Sequence, residues 1–192
     1  GALTEGSGRV WLRGGESVSI SGSGLPESIA FRQISLATSL QARRCEDIPD
    51  GVTFECERDW SESGGSIQVS GGGHANVSGG DNLWAWNVFG HSISWELDVP
   101  RAGEYELWMV GATETGFLAE VEAGECGPLA VWFEPTGGWG RTVADEWRAF
   151  RLESAPGIPV RLRLNAGPQK VRITNRMGMG LNLDCLVLSR AG

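Results

Sequence analysis

The 192-residue chain is long enough for one large domain, or for a domain of about 140 residues with an extension. A formal net charge of -8 disfavours nucleic acid as a partner, and no run approaches the roughly 20 apolar residues that a membrane span needs. The 29 glycines and nine tryptophans, without long stretches of Leu, Ala, Glu and Lys, favour many short strands joined by tight turns.

The first 50 residues are the least regular part of the sequence. Short apolar pairs alternate there with Ser-Gly turns, and a Pro-Asp-Gly turn follows at residues 49–51. We therefore place a domain boundary near residue 50. Residues 1–50 are expected to be a strand-rich extension or the tail of a preceding domain, and residues 51–192 the main module.

Two pairs of strands are predicted from alternating apolar and polar residues. Residues 93–99 and 105–109 show the two-residue period of half-buried strands and are joined by a Pro-Arg-Ala-Gly turn. Residues 160–164 and 171–173 repeat the pattern around an Asn-Ala-Gly-Pro turn. Each pair is predicted to form an antiparallel hairpin.

Two later segments complete the predicted strands. Residues 129–133 are bounded by glycine and proline, and residues 181–188 are apolar enough to lie centrally in a sheet. Short strands at regular spacing predict an all-β fold, an antiparallel β-sandwich of jelly-roll type. Four cysteines lack the spacing of a metal site, which leaves disulfides and buried thiols open.

Four segments in order carry a resemblance to a known family. They are Thr-Phe-Glu-Cys-Glu at residues 53–57, Leu-Asp-Val-Pro-Arg-Ala-Gly-Glu-Tyr-Glu-Leu at residues 97–107, Pro-Thr-Gly-Gly-Trp at residues 135–139 and Gly-Leu-Asn-Leu-Asp at residues 180–184. Together they resemble carbohydrate-binding modules of the family 6 and family 35 type over residues 51–190. The resemblance implies a β-sandwich that binds sugars without cleaving them.

A candidate metal site follows from acidic residues near the two ends of the module. Glu55 and Glu57 are two apart on a predicted strand, so both carboxylates project from one face, and oxygen ligands of this kind suit calcium. The resemblance adds Asp184 and implies a structural calcium ion that ties the first strand to the last. The alternative is that the two glutamates face solvent on an edge strand.

A candidate sugar site is built on tryptophan. Trp139 lies between two glycines, where a bulky apolar side chain has little local reason to be buried, and the resemblance assigns this position to sugar stacking. The resemblance also places the amide of Asn182 in the same cleft. Trp84 and Trp86 share one side of an extended segment and are candidates for the opposing wall, with packing on the core as the alternative.

The predicted function is a non-catalytic carbohydrate-binding module that targets an attached enzyme to a polysaccharide or oligosaccharide. No catalytic residue is predicted, because no nucleophile motif is present. A small jelly-roll glycoside hydrolase or polysaccharide lyase stays open, since two carboxylates across a cleft need no linear motif. A cell-surface protein-interaction or adhesion domain is the other alternative. We expect a secreted or extracellular protein with no membrane partner.

Overall fold

The computed structural model describes residues 44–69, 73–141 and 146–191 of the chain. These residues all belong to one compact unit. The extension predicted over residues 1–50 lies outside the described residues up to residue 43, and the boundary near residue 50 stays a prediction. No helix in the described part of the chain is long and apolar enough to cross a bilayer.

The described residues form short strands, as the glycine-rich composition predicts, together with one turn of 3-10 helix at Cys45–Asp47. The strands are β1 (Gly51–Glu55), β2 (Trp60–Ser63), β3 (Gln68–Val69), β4 (Leu83–Trp86), β5 (Ser92–Val99), β6 (Gly103–Ala112), β7 (Phe117–Ala123), β8 (Cys126–Phe133), β9 (Arg148–Arg151), β10 (Glu153–Ala155), β11 (Ile158–Pro159), β12 (Leu162–Leu164), β13 (Gly167–Asn175) and β14 (Leu181–Arg190).

Two antiparallel sheets contain all but the small β10–β11 pair of these strands. In the seven-stranded sheet β14 is central: β6 lies along one edge, and β1 and β4 share the other, with β3 beyond β4. Strands β9 and β12 both pair with the far edge of β6. The second sheet has the order β2-β5-β13-β7-β8. The predicted all-β antiparallel sandwich, with a central last strand, is confirmed.

The main core lies between the two sheets. Alternate residues of β5 and β13 are buried, such as Ile93, Trp95 and Ile173, and they meet the inward residues Leu183 and Leu186 of β14. This alternation is the physical basis of the sandwich, because each strand has one apolar face to remove from water.

A second, smaller core covers the outer face of the seven-stranded sheet. Its members include Trp108 on β6, Val187 on β14, Ile48 just before β1 and Trp147 just before β9. A disulfide from Cys45 to Cys185 ties the segment before β1 to the central strand. The other two cysteines are free thiols.

Both predicted hairpins are wrong, although their strands are present. Strand β5 pairs with β2 and β13, whereas β6 pairs with β9, β12 and β14 in the other sheet. Likewise β12 pairs with β6 and β13 with β5 and β7. The turns are arches that carry the chain from one sheet to the facing one, so the apolar faces of consecutive strands meet across the core. A two-residue period of apolar residues indicates which face of a strand is buried, but it does not indicate which strand is its hydrogen-bonded neighbour.

The disulfide closes a loop of 140 residues in sequence separation, so its loss should destabilise the fold by about 2 to 5 kcal/mol. We expect the double variant Cys45→Ala/Cys185→Ala to unfold at a lower urea concentration than the oxidised wild-type protein. Reductant should lower the urea midpoint of the wild-type protein and leave that of the double variant unchanged. Cys126→Ala, which removes a free thiol, is the matched control. Equal midpoints for the oxidised and reduced protein would contradict a stabilising bridge.

Candidate functional site

Loops from both sheets meet at the end of the sandwich where Trp139 lies. Thr136, in the same loop, is buried and its hydroxyl accepts the backbone N–H of Thr113 at 2.9 Å. Farther along, the carboxylate of Glu146 accepts the N–H groups of Gly140 at 2.7 Å and Arg141 at 3.1 Å. The tight Gly-Gly-Trp-Gly turn is therefore held from both sides.

Trp139 is partly exposed, as its glycine-flanked position predicts. Its indole N–H donates to Glu114 Oε2 at 2.9 Å. A Cβ atom placed on Gly180 would lie 2.7 Å from Cη2 of the indole, so the β13–β14 loop passes directly against the ring, and a side chain at residue 180 would force the ring to shift. One edge of Trp139 is thus packed and hydrogen-bonded while the side chain keeps a solvent-accessible surface.

Asn182 braces the loop that carries Trp139. The side chain is only 4% exposed, and its Nδ2 donates to the carbonyl oxygen of Trp139 at 2.7 Å. The same Nδ2 lies 3.2 Å from His74 Nε2. The structure brings Asn182 to Trp139, as predicted, and assigns its amide nitrogen a positioning role. Direct contact between Asn182 and a sugar stays a prediction.

His74 is a site residue that the sequence analysis did not identify. Its ring meets Trp84 edge-on at a centroid distance of 5.9 Å and Trp147 at 6.4 Å. Burial lowers the pKa of His74, and the positive charge of Arg141 lowers it further. Since the Asn182 amide nitrogen can only donate, Nε2 accepts from it, and the imidazole is neutral at pH 7. A lone histidine in a glycine-rich loop carries no sequence signal for this role.

Trp84 lies on the same side as His74, with the guanidinium carbon of Arg141 6.0 Å from its ring centroid. Its predicted partner Trp86 does not. Trp86 is fully buried in the main core, and its indole N–H donates to the carbonyl oxygen of His91 at 3.1 Å. The prediction of Trp86 as a ligand contact is wrong.

The reason is a local break in strand alternation. Ala85 has a φ of 63°, in the left-handed region, and the pairing between β4 and β14 shifts register at this point. A bulge of this kind breaks the alternation of a strand, so that side chains two residues apart face opposite sides of the sheet. Trp84 therefore points out and Trp86 in, whereas a regular strand would place both on one side.

The acidic residues form a cluster around a serine. Ser78 Oγ lies 2.6 Å from Glu55 Oε2 and 3.2 Å from Asp184 Oδ1, and the Ser78 N–H donates to Asp184 Oδ1 at 3.0 Å. Burial raises the pKa of Asp184 to about 7, with a further contribution from the Glu55 and Glu57 charges. The predicted meeting of Glu55 with Asp184 is thus present, through Ser78.

Glu57 lies beyond the end of β1, so the predicted strand geometry, with both glutamates on one strand face, is wrong. The chain turns at residues 56–57 instead. The Glu57 side chain is 8% exposed, and its Oε2 is buried without a hydrogen-bond partner. Burial raises its pKa, as does the charge of Glu55. An unpartnered carboxylate oxygen beside two other acids is an arrangement that a cation would stabilise.

The cluster does not yet gather its oxygens around one point. Within the described part of the chain, the group of three potential ligand atoms within 4.8 Å of one another is Cys45, Asp184 and Cys185, and the disulfide occupies both sulfurs. What the three carboxylates and Ser78 offer is a set of hard oxygen donors, the type that calcium prefers. The donor chemistry fits calcium, and a closed ligand set would need these side chains to move closer together.

No family model and no curated protein matches the chain. Several solved structures are similar to the chain. A family 35 carbohydrate-binding module from Clostridium thermocellum is 20% identical, with 73% of this chain and 98% of that chain covered and a TM-score of 0.55. The family 35 module of Paenibacillus barcinonensis is 15% identical, with 73% and 99% covered and a TM-score of 0.57. A Podospora anserina β-(1,4)-mannanase that carries a family 35 module is 19% identical, with 74% of this chain and 28% of that chain covered and a TM-score of 0.56. At these identities the likeness shows the fold, and it agrees with the family resemblance seen in the sequence.

The buried Asp184 should make the stability of the folded chain pH-dependent. Its pKa in the fold is about 7, against 3.8 ordinarily, so the folded state holds a proton that the unfolded state has lost between these values. In chelator, the free energy of unfolding should therefore fall as pH rises from about 4 to about 7, by a few kcal/mol. We expect Asp184→Asn to lack most of this fall in urea titrations, while Asp98→Asn, at an exposed acid, keeps it. Parallel pH profiles for all three proteins would contradict the assignment.

Proposed function

We propose that the chain is a non-catalytic carbohydrate-binding module that binds a polysaccharide or oligosaccharide by stacking on Trp139 and targets an attached enzyme to it. The observation that carries the proposal is a partly exposed tryptophan fixed by buried polar groups at the loop end of a sandwich similar to family 35 modules. A flat aromatic face matches the C–H face of a sugar ring, and a platform that is already rigid loses little entropy on binding.

The groups around Trp139 support recognition of sugar hydroxyls. Glu114, the neutral His74 and Arg141 surround the aromatic surface with acceptors and donors, and Trp84 supplies a second aromatic side chain. Shallow, hydrated sites of this type give affinities of roughly -4 to -8 kcal/mol, in the millimolar to micromolar range.

The acids near Trp139 favour a binder over a hydrolase or lyase. A glycosidase needs two carboxylates that face each other across the cleft and are free to act on the substrate. Glu114 accepts the Trp139 indole N–H, and Glu146 accepts two backbone N–H groups of the Trp139 loop. Both carboxylates serve the loop, and the Glu55–Asp184 pair is engaged with Ser78.

The calcium proposal concerns stability. We propose that Glu55, Glu57 and Asp184 hold a structural calcium ion, which would compensate the cost of burying these carboxylates, the main cause of the raised pKa values of Glu57 and Asp184, and the smaller repulsion between them. The unpartnered Glu57 oxygen supports this role. Because β1 and β14 are adjacent strands, an ion held by their residues would join the first strand of the module to the last.

We also propose that the protein is secreted or extracellular, a location that includes the cell surface and the periplasm. The Cys45–Cys185 disulfide supports it, because such bonds persist in oxidising compartments. The attached enzyme is proposed by analogy with the mannanase, whose chain joins a family 35 module to a catalytic domain.

Trp139→Ala should abolish detectable binding, or weaken it at least tenfold, because the stacking surface is lost. The measurement is affinity electrophoresis and calorimetry of the intact chain against xylan, β-glucan, β-1,4-mannan, β-1,3-galactan and polygalacturonate. Trp139→Phe, which retains a flat ring, should keep part of the affinity. Reducing-sugar release is assayed in parallel, and product from any polysaccharide would favour the enzyme alternative. Binding unchanged in Trp139→Ala would contradict the proposed platform.

Calcium should raise the free energy of unfolding by about 3 kcal/mol at 100-fold above its dissociation constant, and chelator should reverse the gain. Glu57→Gln should remove most of the calcium-dependent gain, because it removes a charged ligand. Glu125→Gln, at an exposed acid in the β7–β8 turn, should leave it intact. Identical melting curves in calcium and in chelator would rule out a stabilising ion.

A further inference from the structure

Exposed apolar residues are concentrated beside the proposed sugar site. Within the described part of the chain five large hydrophobic side chains are exposed, and three of them lie on two loops, β4–β5 and β13–β14. They are Val88 at 43%, Phe89 at 66% and Met177 at 41%. A single exposed apolar residue is ordinary on a protein surface, whereas several on adjacent loops mark an interaction surface.

Buried Asn175 fixes these two loops to each other. Its Oδ1 accepts the N–H groups of Met177 at 3.0 Å and Gly178 at 2.7 Å, which shapes the β13–β14 loop. Its backbone carbonyl oxygen accepts the N–H of Gly90 at 2.8 Å, and its own N–H donates to the His91 carbonyl oxygen at 2.9 Å. Phe89, next to Gly90, is therefore exposed on a braced loop.

The same β13–β14 loop joins Phe89 to Trp139. A Cβ atom placed on Gly178 would lie 3.6 Å from Phe89 Cβ, and one placed on Gly180 would lie 2.7 Å from Trp139 Cη2. Two residues of extended chain span at most about 7 Å. The two aromatic residues thus lie beside the same short segment of the β13–β14 loop, at positions two residues apart along it.

The patch is apolar and electrically neutral. Arg176, the cation at the start of the loop, forms a 2.5 Å ion pair with Glu120 on β7, so its charge is compensated. A second aromatic ring without a free charge suits the C–H faces of further neutral sugars in the same chain. The occupant that continues from Trp139 is therefore more of the same glycan.

We propose that Phe89 is a second stacking position, so that the site takes a glycan chain of several neutral sugar units and not a single sugar. The proposal rests on the proposed function of Trp139. Phe89 then determines specificity for chain length: short ligands contact Trp139 alone, and longer ones reach Phe89 as well.

The test is calorimetric titration of the intact protein, Phe89→Ala and Trp139→Ala with ladders from monomer to hexamer of β-1,4-linked mannose, β-1,4-linked xylose, β-1,4-linked glucose and β-1,3-linked galactose. In wild type, affinity should rise with chain length. Phe89→Ala should bind the monomer as wild type does and lose roughly three- to tenfold affinity for the hexamer, the range expected for one aromatic contact. Ile158→Ala, at an exposed apolar residue on β11, should match wild type at every length.

The outcomes separate this proposal from the proposed function. If Trp139→Ala loses binding while Phe89→Ala keeps the wild-type length dependence, the second position is wrong and the first stands. If no ladder binds wild type, the site for neutral sugar chains is wrong, and if no polysaccharide binds either, the proposed function is wrong as well. Sedimentation of the same proteins tests the other occupant: self-association that Phe89→Ala abolishes, without a change in length dependence, would assign the patch to a second copy of the chain.

Discussion

The packing of β14 between two cores is the constraint on which the rest of the structure depends. Leu183 and Leu186 face the main core, whereas Cys185 and Val187 face the smaller core on the outside of the sheet. Two buried faces leave little room for polar residues. The ladder with β6 shifts register between Leu183 and Cys185, and the extra residue, Asp184, is directed to the outer side with Cys185.

That register shift places two functional features next to each other. Asp184 meets Ser78, and Cys185 is bonded to Cys45. Asn182, two residues before Asp184 on the same strand, donates a hydrogen bond to the carbonyl oxygen of Trp139. The acidic cluster, the disulfide and the aromatic platform all include a residue of β14 or contact one. Because β14 is the central strand of the sheet, these contacts hold the surrounding loops in fixed positions.

Electrostatics separates the roles of the two regions. Around Trp139 the groups are aromatic rings and hydrogen-bonding side chains, with Glu114 bound to the Trp139 indole N–H and Arg141 near the Trp84 ring, which suits a ligand rich in hydroxyls. Around Asp184 the carboxylates are buried and also repel one another, and a cation would offset both costs. Binding and stabilisation therefore use different chemistry on neighbouring parts of one strand.

Much of the platform was readable before the fold was known. The glycines beside Trp139 indicated an exposed ring, and the apolar segment over residues 181–188 indicated a central strand, because both signals are local. Identifying Asn182 and Asp184 needed the family resemblance as well. The neutral imidazole of His74 was not readable, since its neighbours Asn182 on β14, Trp84 on β4 and Arg141 come from segments far apart in the sequence.

The sequence by itself determined which residues face inward, because a two-residue period follows from the geometry of any extended strand. Only the tertiary structure decided which strands are neighbours, because the turns before β6 and β13 arch between sheets instead of closing hairpins. It also decided that Trp86 is buried, since the left-handed backbone at Ala85 reverses the alternation. Glu57 left the predicted strand for the same kind of reason: where a strand ends depends on its partner, and β14 pairs with β1 only as far as Glu55.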